Sequence, residues 1–411
     1  MKYTFNMSLL NDKHILLGIS GSIAAYKAAD LASKLTQAGA QVDVILTAAA
    51  EKFITPLTFQ SVTGRKAYTD ADLWGGEAHI LHVGLAHQTN LLVIAPCTAN
   101  TLAKLAHGLA DNLLTIAALA ARCPVLLAPA MDVGMYTAPA TQANVSALIA
   151  RGIHFAGPGE GRMASGLTGL GRMLEPAELL GHIRLILGKN GPLAGKRVVI
   201  TAGGTQEPLD PVRVLTNKSS GKQGYALAQA AIDSGAEVIL ISTPTALTPP
   251  IGARLVPVQT ARQMLEAVLD ECRQADALVM AAAVADFRPA QSAQDKLKKR
   301  DGIPQIKLEA TEDILAAVAG QRSRMNRLRC VVGFAAESRD LLKNAAEKLK
   351  SKKLDLIVAN DISATDAGFG VDTNRVTLLF AAGHSEPLPL MSKTEVAETV
   401  IARLATMLEK D

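Results

Sequence analysis

His14-Ile-Leu-Leu-Gly-Ile19, closed by Ser20-Gly21-Ser22, is followed by a helix-like segment over residues 23–38 and then by Gln41-Val-Asp-Val-Ile-Leu46. A short apolar run ending in small residues, a helix-length stretch and a second apolar run together make a βαβ opening. The alternation continues downstream, where apolar runs over 91–94 and 124–128 are separated by helical stretches near 98–107 and 111–121. Strands this short and this apolar are buried on both faces, which predicts a parallel, doubly wound sheet with helices packed on either side.

The scheme then repeats. After the Gly/Pro-rich stretch Gly188-Lys-Asn-Gly-Pro-Leu-Ala-Gly195, residues 197–201 predict a strand, 202–222 a long glycine-bearing loop, 223–234 a helix and Glu237–Ser242 the next strand. Ala38-Gly39-Ala40-Gln41-Val42 and Ser234-Gly235-Ala236-Glu237-Val238 share one phrase of helix end, glycine and strand start. Any nucleotide-binding α/β fold reuses that phrase, so it needs no recent duplication. A length of 411 residues allows two or three domains. The two patterned halves put the division near Asn190, giving domains 1–190 and 191–411.

Composition narrows the function classes. At 49% hydrophobic and 19% charged residues the chain is globular rather than disordered. Eight Phe, five Tyr and one Trp leave little for stacking single-stranded bases. The net charge of +4, with no basic arm or acidic tail, points to no nucleic-acid partner. Cys97, Cys123, Cys272 and Cys330 stand far apart with no CxxC pair, which excludes a disulfide framework and a thiolate zinc site and fits a reducing cytoplasm. Residues 112–131 are the most apolar stretch. Arg122, Pro124 and Pro129 interrupt them, so they fall short of the ~18 apolar residues of a membrane span. Met1-Lys-Tyr-Thr-Phe-Asn-Met7 has polar residues where a signal peptide carries its apolar core, so a cytoplasmic protein is expected, with Met1 and Met7 both open as starts.

Chemistry begins at the first turn. Gly18-Ile-Ser-Gly-Ser22 sets small residues between a strand and a helix N-terminus, where free N–H groups and the positive end of the macrodipole suit a phosphate. A tight turn with no ligand demands the same residues. The motif is not GxGxxG, and the second strand ends in Leu46-Thr47-Ala48 without an acidic residue for a ribose hydroxyl. Both points argue against NAD and leave a phosphate-bearing cofactor such as FMN as the better fit. Three more segments follow strands: Ala95-Pro-Cys-Thr98-Ala-Asn100-Thr101, then Pro129-Ala-Met131-Asp132-Val-Gly-Met-Tyr136, then the glycine-laden 157–173, suited to a mobile flap.

In that order and spacing these segments resemble the flavin-dependent cysteine decarboxylase family, as found in the decarboxylase half of bifunctional coenzyme A biosynthesis proteins. The second half resembles phosphopantothenate–cysteine ligases through Thr201-Ala-Gly-Gly-Thr-Gln-Glu-Pro-Leu-Asp-Pro-Val-Arg213, Thr216-Asn-Lys-Ser-Ser-Gly-Lys222, Ala281-Ala-Ala-Val-Ala-Asp286 and Val331-Val-Gly-Phe-Ala-Ala-Glu337. The resemblance covers essentially the whole chain. It implies an α/β protein of two Rossmann-like doubly wound domains, an N-terminal flavodoxin-like flavin-dependent cysteine decarboxylase fold and a C-terminal ligase fold. It further implies that 4′-phosphopantothenate is activated with CTP as an acyl-cytidylate and passed to cysteine. The product is then decarboxylated to 4′-phosphopantetheine with FMN as a transient electron sink.

The same resemblance assigns residues. FMN would lie against Gly21, Ser22, Thr47, Thr98, Asn100 and Met131, with His79 as catalytic histidine and His82 as its neighbouring rival. Asn217 would serve acyl-cytidylate turnover. Asp286 and Phe334 would meet the CTP base or ribose, and Lys296, Lys348 and Lys352 the triphosphate, with Mg2+ accompanying the nucleotide. Decarboxylases of this type assemble as trimers and the ligases as dimers, which implies a homo-oligomer closed as a dodecamer.

Three segments depart from the family pattern. Asp132 stands where an Asn is usual, Ser165 where the flap commonly supplies a Cys, and Thr311-Glu-Asp313-Ile314 replaces Asn-Pro-Asp-Ile. An alcohol is a far weaker acid than a thiol of pKa ~8.5, so Ser165 is a poor proton donor. An ionised Asp132 would repel a substrate carboxylate. Two expectations follow: either Asp132 is held protonated in a desolvated pocket and acts as the donor, or the ligase is active beside an FMN-binding but impaired or regulatory decarboxylase half.

Overall fold

β1 (His14–Ile19) is buried at every residue after His14. Its neighbours alternate between faces, as a pleated strand requires: Ile15, Leu17 and Ile19 enter one apolar cluster and Leu16 the other. The computed structural model describes residues 8–74, 80–299, 303–337, 340–361 and 371–409. They divide into two compact units between Leu187 and Gly188.

In the first unit β1 leads into α1 (Ala25–Gln37), β2 (Gln41–Leu46), α2 (Pro56–Thr63), β3 (Ala67–Tyr68), α3 (Leu81–Gln88), β4 (Leu91–Cys97), α4 (Ala99–His107) and α5 (Leu113–Ala120). The chain continues through β5 (Val125–Pro129), α6 (Val133–Thr137), α7 (Pro139–Ala150), β6 (His154–Phe155), β7 (Gly159–Arg162), β8 (Thr168–Arg172) and α8 (Pro176–Gly188). Ala28, Leu31, Ala32 and Leu35 put a buried stripe on α1 at helical spacing. Burying Leu31 and Leu35 contributes roughly 1.5–3 kcal/mol each. The helix stops at Gly39, whose φ of +92° a side chain would resist. Strands β3-β2-β1-β4-β5-β6 form one parallel sheet. The order reverses between β1 and β4, which opens a crevice at their carboxyl ends. β7 and β8 form an antiparallel hairpin over the segment expected to be a flap.

The second unit runs β9 (Arg197–Ala202), β10 (Gln206–Pro208), β11 (Val214–Thr216), α9 (Lys222–Asp233), β12 (Glu237–Ser242), β13 (Ala253–Pro257), α10 (Ala261–Glu271), β14 (Ala277–Met280), β15 (Phe287–Pro289) and β16 (Leu308–Ala310). Then come α11 (Ile314–Gln321), β17 (Cys330–Glu337), α12 (Leu341–Ser351), β18 (Leu356–Asp361), β19 (Thr373–Asn374), β20 (Val376–Phe380), β21 (Ser385–Pro387), β22 (Met391–Ser392) and α13 (Lys393–Glu409). The sheet is ordered β13-β12-β9-β14-β17-β18-β20-β21. Its first six strands are parallel and repeat the strand order of the first unit; β20 and β21 add an antiparallel edge. The shared sequence phrase falls at equivalent places, between α1 and β2 and between α9 and β12, where Gly235 has a φ of +87°.

The second unit differs from the sequence expectation at one place. Residues 202–222, read as a loop, contain the hairpin of β10 and β11. β11 is exposed along its length, so the hairpin carries no apolar alternation. The buried Glu207 carboxylate anchors it instead by accepting the Ala261 N–H at 2.8 Å. Among the described residues no helix is long and apolar enough to cross a membrane.

Candidate active sites

The carboxyl ends of β1, β4 and β5 converge in the first unit. Ser20 donates its hydroxyl to the Pro96 carbonyl at 2.8 Å and accepts the Thr98 N–H at 3.0 Å, which ties together the two turns flanking the crevice. Thr98 caps α4 by accepting the Thr101 N–H, and Asn100 is exposed in the first turn of that helix. Thr47 donates to the Ile19 carbonyl at 3.3 Å. Gly21 has no room for a side chain, because a Cβ there would lie 2.5 Å from that of Ala49. Among the described residues no hydrogen bond of the fold uses the N–H groups of Gly21, Ser22 and Ile23. A turn of unspent donors at the start of α1 fits a phosphate-bearing cofactor.

The hairpin of β7 and β8 docks beside this crevice. Met131 donates its N–H to the Gly171 carbonyl at 3.0 Å, and a Cβ at Gly171 would come within 2.3 Å of the Met131 carbonyl oxygen. This docking brings Ser165, on the hairpin tip, to Asp132: the serine hydroxyl donates to Oδ2 at 2.6 Å while Oδ1 accepts the Gly134 N–H at 3.1 Å. The Ser165 and Gly134 hydrogen bonds hold the Asp132 carboxyl below the usual carboxylate range, with burial opposing only weakly. Both oxygens accept hydrogen bonds that favour the anion, which weighs against the expectation of a protonated Asp132 in a desolvated pocket. His79 lies outside the described residues; His82 is half-buried in α3.

In the second unit a cleft of about 570 Å3 is lined by residues of β14, β17 and β18 and the loops that follow β14 and β11. Its central wall is the 281–286 loop after β14. Thr201 accepts the N–H groups of Ala281 and Ala282 at 3.1 Å each, Thr205 accepts that of Ala285 at 2.9 Å, and Thr311 donates to the Ala285 carbonyl at 2.6 Å. Asn217 spends its amide here, donating to the Val284 carbonyl at 3.1 Å and to that of Ala283 at 3.4 Å. Asp286 and Phe334 line the same cleft, as do Lys348 and Lys352 of the α12 region.

Asp313 caps α11 by accepting the Ala316 N–H at 2.8 Å and forms an ion pair with Lys352. Burial alone would raise the Asp313 carboxyl, but the Lys352 ammonium and the capped N–H groups hold it below the usual range. Ile314 lines the cleft while packing into the core. Lys296 is not among the lining residues. Its loop is fastened elsewhere, with the Leu297 N–H donated to Asp210 at 3.2 Å and the Leu297 carbonyl accepting from Arg213 at 3.0 Å.

Sequence reasoning missed Lys222, Gln223, Asn374 and Lys393, all of which line the cleft. Lys222 stood at the end of a quoted motif, but Asn374 and Lys393 sit on short C-terminal elements whose sequence carries no site signal. Among the described residues no group of three or more His, Cys, Asp or Glu side chains is placed to hold a metal ion.

Comparison with known proteins covers both units. A flavoprotein family model matches residues 6–187, and a model of the DNA/pantothenate metabolism flavoprotein C-terminal domain matches 193–408. The coenzyme A biosynthesis bifunctional protein CoaBC of Bacillus subtilis is 46% identical over 97% of this chain and 98% of its own. That of Vibrio vulnificus is 43% identical over 98% of this chain and 100% of its own. That of Mycobacterium tuberculosis is 43% identical over 96% of this chain and 97% of its own. Full-length relatives and two domain models agree across both halves: the chain belongs to the bifunctional coenzyme A biosynthesis protein family, enzymes that join a flavoprotein decarboxylase domain to a ligase domain.

Proposed function

We propose that the second unit activates 4′-phosphopantothenate with CTP and joins it to cysteine, and that the first unit decarboxylates the product with FMN to give 4′-phosphopantetheine. The observation that carries this reading is the lysine-rich cleft at the strand-order reversal of the second sheet, where Asp286, Phe334, Lys348 and Lys352 share one wall system. In the ligation, the pantothenate carboxylate attacks the α-phosphorus of CTP and pyrophosphate leaves. The cysteine amine then attacks the acyl carbon and CMP leaves. The lysines neutralise the phosphates. Asn217, already poised at the loop carbonyls, turns its amide to the attacked carbonyl oxygen. Mg2+ would travel with the nucleotide and keep its own waters, because the described residues build no cage for it.

In the first unit, Gly21, Ser22 and Thr47 with Thr98, Asn100 and Met131 would hold FMN, its phosphate on the unspent N–H groups at the start of α1. Bound flavin supplies a reversible two-electron sink for the substrate's cysteinyl carbon. Asp132 and Ser165 close the crevice from the hairpin side. A second reading, a working ligase beside an impaired or regulatory decarboxylase, is favoured by their hydrogen bond, which commits the Ser165 proton to a carboxylate. The proposal includes a cytoplasmic, trimer-based assembly, supported by the exposed Ile23, Tyr26, Phe53 and Leu57 of the first unit; light scattering giving a monomer would contradict it.

Mass spectrometry of the products formed from CTP, cysteine and 4′-phosphopantothenate tests both halves together. The full reading gives 4′-phosphopantetheine, whereas accumulation of 4′-phosphopantothenoylcysteine selects the second. No product at all removes both.

A further inference from the structure

Lys393, the first residue of α13, is only 8% exposed and lines the cleft. Among the described residues no hydrogen bond or ion pair engages its ammonium. Its backbone is pinned on both sides, its N–H donated to the Asp372 carbonyl at 2.9 Å and its own carbonyl accepting from Gln223 at 3.2 Å. Gln223 is held in turn by Asn374, whose amide donates to it at 3.0 Å. Lys222 stands beside this frame, paired with the exposed Asp372 carboxylate at 2.6 Å.

An ammonium buried without a counter-ion is costly, and a bound anion can supply the missing charge. Burial and the neighbouring Lys222 both disfavour the charged form of Lys393, and Asp372 only partly offsets them. The surroundings define the ligand's chemistry. Lys222 and Lys393 approach the start of α9, where the N-cap is Gly221 with a φ of +78° and no side-chain cap. Two ammonium groups and uncapped helix N–H groups offer more donors from more directions than a planar carboxylate accepts, and a tetrahedral phosphate accepts them. Among the described residues Asp372 pairs with one of the two lysines and leaves the Lys393 ammonium for a ligand.

We infer that Lys393, with Lys222 and the N-terminus of α9, forms a phosphate subsite in the cleft. This deepens the CTP-dependent ligase reading and rests on it for the identity of the ligand, although its test needs no turnover. Two phosphates are available, the pyrophosphate tail of the nucleotide and the single phosphate of 4′-phosphopantothenate.

The experiment is isothermal titration of the full-length protein and its Lys393→Met and Lys393→Arg variants with inorganic pyrophosphate and, separately, with 4′-phosphopantothenate, alongside thermal denaturation without ligand. Methionine keeps the buried stem and removes the charge. Lys393→Met is expected to melt at or above the wild-type temperature and to bind pyrophosphate about tenfold or more weakly, the loss expected for one charge-assisted hydrogen bond. Lys393→Arg is expected to retain most of the affinity. A loss confined to 4′-phosphopantothenate assigns the same subsite to that phosphate. Unchanged affinity for both ligands overturns the subsite. Should Lys393→Met fold poorly, Lys393→Gln carries the same titrations. Wild-type protein that binds pyrophosphate but releases none from CTP would instead remove the ligase reading while leaving the subsite standing.

Discussion

The Ser165 hydroxyl donates at 2.6 Å to the Asp132 carboxyl, and this bond and the Gly134 N–H favour its charged form. That geometry divides the work of the two side chains. An alcohol engaged this way has no tendency to yield its proton to substrate, so Ser165→Cys, which places a group of pKa ~8.5 at the same tip, should raise kcat for CO2 release by on the order of 10²-fold. Asp132→Asn acts elsewhere, removing repulsion of the substrate carboxylate, and should lower KM with little effect on kcat. Steady-state assays of CO2 from 4′-phosphopantothenoylcysteine separate the two, and a Ser165→Cys rate equal to wild type would count against serine as the weak link. The sequence named both residues but not their contact, because 33 positions separate them and only the docked hairpin joins them.

At the scale of elements, legibility followed burial. β1, β2, β4 and β5 read as apolar runs because helices cover both faces of the sheet. The hairpins of β7 with β8 and β10 with β11 escaped a periodicity search because they are glycine-rich or exposed and are held by side-chain anchors. Lys393 escaped for a related reason: 170 positions separate it from Gln223, and the contact exists only once α13 lies beside α9. Helix α11 tests how caps and charges combine. Asp313→Ala removes the cap and should cost about 0.5–2 kcal/mol, whereas Asp313→Asn keeps a capping oxygen and should cost far less. Thermal denaturation distinguishes them. The carboxyl's folded-state pKa is depressed, so its ion-pair contribution is present above the unfolded value of ~3.9 and is lost as pH falls through the folded value. Asp313→Asn should therefore flatten the acid limb of stability against pH, modestly, because the side chain is half exposed.

For the whole molecule, two sheets of the same parallel order each bury their own core, and the apolar clusters of the first unit share no residue with that of the second. The sequence revealed two units through its repeated phrase. The strand order was hidden, since crossovers between distant strands leave no local trace. Separate cores and separate crevices predict separate unfolding. In differential scanning calorimetry of the full chain, FMN should raise one transition and CTP the other. Each stabilisation is set by RT ln(1 + [L]/Kd), about 2.7 kcal/mol at a hundredfold excess over Kd. The Lys393→Met variant should reduce the CTP-dependent shift and leave the FMN-dependent one untouched. A single transition that rises equally with either ligand would mean that the halves unfold as one cooperative unit, and the independence inferred from their cores would fail.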